Sequence, residues 1–184
     1  KETVEVWREE ARKYGFKDLY LMFFWSFDSG VSPHTIGFDA AAQFTPNKLP
    51  FIKKKAVFVE QVRKLGKLAP LKSKFLTVNY KDVVSFYKKY EFPDDYMLYP
   101  CVTPMWDNYV RRRSKGGTVL LDSTPELYRD WLESVCERSK SKYDENFIFI
   151  NAWNEWAEGN HLEPCEKWGT QYLKKTAEVL KKYK

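Results

Sequence analysis

The sequence predicts an α/β fold, specifically the C-terminal portion of a TIM-like (β/α)8 barrel lacking its first strands. Three observations predict it. Apolar runs of strand length, rich in aromatic and β-branched residues, alternate along the chain with stretches of helical periodicity. Several of those runs end in polar, tryptophan-bearing segments, as the carboxyl ends of barrel strands do. The chain has 184 residues, whereas a closed barrel takes about 250.

The opening segment, Val4 to Tyr14, carries Val4, Trp7, Ala11 and Tyr14 at helical spacing, with Gly15 as its stop. Leu19 to Trp25 is apolar throughout and reads as a buried strand, with Ser26 to Pro33 as loop. Helix followed by strand is a β/α rhythm already under way, so the chain is expected to begin within its fold. Phe38 to Phe44 reads as a short strand or strand-like turn, with Asp39 near its start. From Thr45 to Leu71 the pattern is weak. Pro46 and Pro50 favour loop there, and Val57 to Leu65 a helix. Lys74 to Asn79 resembles a strand edge. Asp82 is placed to cap a helix through Tyr90, with Val83, Phe86, Tyr87 and Tyr90 on one face.

Met97 to Trp106 reads as a strand broken at Pro100 and Pro104. Gly116 and Gly117 mark a loop. Thr124, followed by Pro125 at the first helical position, caps a helix to about Lys140. Leu127, Tyr128, Trp131, Leu132, Val135 and Cys136 give that helix a wide apolar face. Phe147 to Trp153 is expected to be a strand buried on both faces. A final helix runs from about Thr170 to Tyr183, with Leu173, Ala177 and Leu180 inward. No repeat or linker divides the chain, so residues 1–184 make one domain.

Composition narrows the function. Hydrophobic residues at 43% and charged residues at 30% describe a globular chain. The net charge of +6 sits largely in lysine clusters, Lys53 to Lys55, Lys174 with Lys175, and Lys181 to Lys184. Such clusters are usually solvated surface. No phosphate loop, finger spacing or RNA-binding signature accompanies them, so no nucleic-acid partner is expected. Cys101, Cys136 and Cys165 are odd in number and scattered, which argues against a disulfide framework or zinc and for a reducing, cytoplasmic setting. With only His34 and His161 as histidines, no metal and no cofactor are expected. No apolar run approaches the length of a membrane helix.

The chemistry concentrates after Phe147. Asn154, Glu155, Glu158, Asn160, His161 and Glu163 crowd together beyond the last strand. Glu155 and Glu158 could act as proton acceptor and donor at a glycosidic bond, one kept protonated by an apolar neighbour such as Trp156. Equally, they could be solvated glutamates in the first turn of a helix. A second group, Trp106, Asp107 and Asn108 with Arg111, Arg112 and Arg113, could bind sugar hydroxyls and clamp an anion. Its alternative is a turn in which Asp107 bonds to local backbone. Asp39 could bind a sugar hydroxyl or hold Arg111, with a structural hydrogen bond or salt bridge as the alternative.

The stretch NAWNEWAEGNHLEP, Asn151 to Pro164, resembles the signature of the WbsX-like polysaccharide-biosynthesis proteins, which are related to the endo-α-mannosidase glycoside hydrolases (family ninety-nine). YGFKDLYL (Tyr14 to Leu21), GFDAAAQFTP (Gly37 to Pro46), PMWDN with its following arginines (Pro104 to Arg113) and the closing GTQYL extend the resemblance over nearly the whole chain. It implies a (β/α)8 barrel with Glu155 and Glu158 as the catalytic pair. Glu155 would act as base on the sugar's own 2-hydroxyl. Glu158 would protonate the departing oxygen and then activate water or an acceptor, retaining configuration without a covalent glycosyl-enzyme. Trp153, Asn154, Trp156 and Glu163 would shape the sugar pocket. On their residue types alone, Trp106, Asp107, Asn108, Arg111 and Asp39 join them as candidate substrate-binding residues, as does His161, whose alternative role is to orient the loop.

The expected protein is thus a cytoplasmic bacterial glycosyltransferase or glycoside hydrolase of surface polysaccharide (lipopolysaccharide, O-antigen) biosynthesis. Its partner would be an oligo- or polysaccharide, with a nucleotide-sugar or lipid-linked sugar supplying an anion. The alternative is a non-catalytic carbohydrate-binding or assembly module. A second copy of the chain could cover the open side of the barrel.

Overall fold

The structure is a computed structural model that describes residues 2–25, 31–46, 49, 75–112, 117–143 and 147–183. The helix expected over Val57 to Leu65 lies outside these residues, as do Pro50, Arg113 and Gly116.

Strands β1 (Met22–Trp25), β2 (Ala40–Gln43) and β4 (Met97–Tyr99) form one parallel sheet in that order. β2 lies at its centre, and Ala40, Ala41 and Ala42 have no exposed surface. Pro100 then interrupts the next strand, because it has no N–H to give to a ladder. Beyond it, β5 (Cys101–Val102) pairs in parallel with β7 (Phe149–Ile150). At this point the β2 side is served by a side chain, since Cys101 N–H donates to Gln43 Oε1 (3.3 Å).

A second parallel pair joins β3 (Phe75–Asn79) to β6 (Gly117–Leu121). β6 corrects the loop expected at Gly117, where the strand begins. Its β-branched and leucine residues lie hidden between a double glycine and a helix cap, too short a run to stand out. Among the described residues the strands do not close into a barrel.

Among the described residues five α-helices accompany them: α1 (Glu2–Lys13), α2 (Tyr80–Lys88), the short α3 (Tyr109–Arg112), α4 (Pro125–Lys142) and α5 (Gln171–Lys182). The cap of α2 is Asn79, whose Oδ1 accepts the Lys81 N–H at 2.9 Å. Asp82, the expected cap, instead sits in the first turn, where the macrodipole favours it. Thr124 caps α4 as expected, accepting the Leu127 N–H. The main core lies between α2, α4 and α5. There Trp131 stacks on Tyr87 with ring centroids 4.8 Å apart, and Tyr128 packs on Tyr172.

Four expected burial patterns are corrected, two in helices and two in strands. In α1 only Val4 is buried, while Trp7 and Tyr14 are exposed. In α5 the buried residues are Tyr172 and Val179, with Leu173 at the margin and Ala177 and Leu180 exposed. The face turns because Tyr172 packs on Tyr128, and Thr176 Oγ1 lies 3.1 Å from the Tyr128 hydroxyl. Neither Leu19 to Trp25 nor Phe147 to Trp153 is buried on both faces, as Phe24 and Phe147 are exposed. Among the described residues β1 and β7 are sheet edges, with a neighbour on one side only.

Candidate functional site

The site is built where parallel strands end. After β7 the chain forms a hairpin from β8 (Asn154–Glu155), a 3-10 turn (Trp156–Glu158) and β9 (Asn160–His161). Its register pairs Asn154 with His161 and Glu155 with Asn160. Opposed residues of an antiparallel pair share a face, so His161 and Glu155 project to opposite sides.

Gly159 closes the turn at φ 54°, in the left-handed region. It has a second constraint: a Cβ there would lie 3.0 Å from Asp107 Cβ and 3.2 Å from Asp107 N. The segment is that close because Asp107 N–H donates to Glu158 O (2.8 Å). Gly159→Ala is therefore expected to cost about 1–2 kcal/mol for the left-handed backbone alone, with steric cost added. Denaturant titration checks this, and an unchanged midpoint would contradict it.

The Trp106–Asn108 segment is pinned on its other side by β6. Leu120 N–H donates to Trp106 O (2.8 Å) and Thr118 N–H to Asn108 Oδ1 (2.8 Å). From there α3 carries Arg111 across the hairpin. Its Nη1 lies 3.4 Å from Glu155 Oε1 and 3.4 Å from Glu158 Oε1. One guanidinium nitrogen thus gathers both carboxylates, whose facing oxygens are at most twice that distance apart. That is close enough for two carboxylates to work on one glycosidic bond.

The two acids are not equivalent. The Glu158 side chain is 19% exposed, and that of Glu155 42%. Burial raises the Glu158 carboxyl above its ordinary range; Arg111 opposes the rise, and the charge of Glu155 adds to it. The arrangement favours a proton on Glu158, as a general acid requires.

Trp156 is half-exposed yet held on two counts. Its indole N–H donates to Glu163 Oε2 (2.7 Å), and its ring stacks on His161 with centroids 3.8 Å apart. His161 Nδ1 faces the Glu163 carbonyl at 3.1 Å, and since a carbonyl only accepts, the proton is on Nδ1. Trp153 and Asn154 are exposed beside them.

An open cleft of about 900 Å³ borders the hairpin. Trp106, Asp107, Trp156 and His161, all expected site residues, line it together with Asp122 and Trp168. The last two carry no sequence signal of a site, because only the fold brings them there. Neither Glu155 nor Glu158 is part of its wall.

Three expected residues have structural partners. Asn108 is buried, its amide oxygen spent on Thr118. Asp107 Oδ1 accepts the Tyr109 N–H (2.9 Å), the local turn named as its alternative, although the residue stays exposed. Asp39 is not brought to the pair. It binds Arg8 (2.8 Å) rather than Arg111, and it precedes β2, whereas the glutamates follow β7. In a parallel arrangement those are opposite ends. Asn160, outside the expected set, is fully buried, and neither amide atom has a partner among the described residues. Also among the described residues, no group of three or more His, Cys, Asp or Glu is placed to hold a metal.

A family model described as Glycosyltransferase WbsX matches residues 1–176. Two curated relatives, both named Uncharacterized protein WxcX and from two strains of Xanthomonas campestris pv. campestris, are 32% identical over 181 residues. The match covers 97% of this chain and 24% of theirs, so the chain spans about a quarter of the length of those relatives. A solved structure titled Glycoside hydrolase-like protein aligns with 97% of this chain and 49% of its own, at a TM-score of 0.55 and 14% identity. That likeness is one of fold.

Proposed function

The chain belongs to the WbsX glycosyltransferase family, and from that premise we propose that it makes or cleaves glycosidic bonds of a bacterial surface polysaccharide through Glu155 and Glu158. The observation that carries the reading is the convergence of both carboxylates on Arg111, with the more buried one held toward its protonated form. The parallel strands, with the glutamates beyond a carboxyl end, support placing them in a portion of a (β/α)8 barrel. Among the described residues no helix is long and apolar enough to cross a membrane.

In the proposed reaction Glu155 takes the proton of the sugar's 2-hydroxyl as that oxygen attacks the anomeric carbon. Glu158 gives its proton to the departing glycosidic oxygen as the bond breaks. In the second half Glu158 takes a proton from water or an acceptor hydroxyl, which attacks the same carbon. Glu155 then returns the first proton to O2. Hydrolysis and transfer differ only in that incoming hydroxyl.

Arg111 adds a signed test. Activity needs protonated Glu158, so the alkaline limb of kcat/KM falls as pH rises through its pKa. Arg111 holds that pKa down. Arg111→Gln is expected to move the alkaline limb to higher pH, and a shift to lower pH would contradict the assignment.

The separation of the cleft from both glutamates favours one second reading, a carbohydrate-binding module without turnover. Sugar binding by this chain with no bond cleavage or transfer, in wild type as in the variants, would select it.

A further inference from the structure

We propose that the cleft beside the hairpin is a docking subsite for an uncharged stretch of glycan, with Trp156 and Trp168 as its stacking rings; this rests on the carbohydrate reading above. Its volume of about 900 Å³ suits a ligand of a few sugar rings, since ligand pockets run to about 300–1,000 Å³.

Trp156 has the properties of a prepared platform. An exposed indole ordinarily moves among rotamers, but here Glu163 holds the N–H and His161 covers one ring face. The ring is thus ordered before any ligand arrives, which lowers the entropic cost of binding. Trp168 is placed by the Cys165–Gly169 turn, where Gly169 N–H donates to Cys165 O (2.7 Å). Its ring meets Tyr172 edge-on at 6.1 Å.

Charge selects the ligand class. Asp107, Asp122 and Glu166 line the cleft against one cation, Lys167, whose ammonium lies 4.9 Å from the centre of the Trp168 ring. The excess is negative, so a phosphate or uronate entering here would meet repulsion. Carboxylates accept hydrogen bonds from hydroxyls, which a neutral sugar supplies. Asp122 is held at φ 59°, with its carboxylate bonded to Asn79 Nδ2 (3.2 Å). The cation that meets the catalytic pair, Arg111, is not part of the cleft wall.

The test uses the full chain carrying Glu158→Gln, so that bound glycans are not turned over. It is applied to an array of short neutral, uronate-bearing and phosphorylated oligosaccharides, and captured glycans are then titrated by tryptophan fluorescence. Neutral glycans are expected to be captured. Trp168→Ala should weaken them about tenfold, the scale of losing one aromatic contact. The exposed Glu166→Lys, which leaves the core untouched, should move preference toward phosphorylated glycans. Preference for charged glycans in the parent chain, no capture at all, or unchanged affinity in both variants would overturn the inference. Turnover by wild type without docking in the cleft removes only this inference. Docking accompanied by equal turnover in wild type and Glu158→Gln removes the catalytic reading instead.

Discussion

On the proposed mechanism, replacing Glu158 by Gln is expected to lower glycosidic turnover by about 10²–10⁴-fold, the contribution of a positioned general acid. The substitution keeps the size of the side chain, but it would remove the proton that the proposed reaction gives to the leaving oxygen. The loss depends on the leaving group. A substrate whose departing group is stable as an anion needs no protonation, so the variant should recover much of its first-step rate with an activated aryl glycoside. Sugar release from natural-type and aryl glycosides, measured side by side, reads both effects. Equal activity in the variant and wild type would reject the acid role. An equal loss on both substrates would assign Glu158 to binding or folding.

The largest effect on stability is expected at Trp131. Its side chain has no exposed surface, stacks on Tyr87 and meets Tyr80 at 6.1 Å, so it joins α4 to α2 in the main core. Trp131→Ala leaves a cavity that these rings cannot fill and should cost about 3–5 kcal/mol. Because the indole N–H has no partner among the described residues, nearly all of that cost is packing. Trp131→Phe should therefore cost much less, since it keeps most of the ring and removes an orphaned donor. Guanidinium unfolding of the pair measures both. A loss below about 1 kcal/mol for the alanine variant would show that the helix layer does not rest on this residue.

Features governed by local physics are legible in the sequence. The Thr124–Pro125 start of α4 is a capping rule acting within one turn, and the structure contains it. The break at Pro100 follows from a missing N–H, and there the strand changes partner. The crowding of Glu155, Glu158, His161 and Glu163 lies within one short segment, so any compact fold of it keeps these groups near one another.

Contacts that join distant parts of the chain leave no such local mark. Nothing in residues 117 to 121 says that they pair with residues 75 to 79. Nothing near Asp39 says that Arg8 takes it. The inward face of α5 departs from its leucine spacing because that spacing is a weaker constraint than the ring of Tyr128, on which Tyr172 packs.

By itself, then, the chain's order of residues determined the α/β class, the caps and breaks, and the short segment that holds two acids, since each depends on neighbours within a few positions. Tertiary structure alone decided that Arg111 meets both acids, that Gly159 must yield space to Asp107, and that Trp168 and Asp122 face the same cleft. Those pairs are far apart along the chain. Their proximity is a consequence of strand pairing and core packing, which residue spacing does not encode.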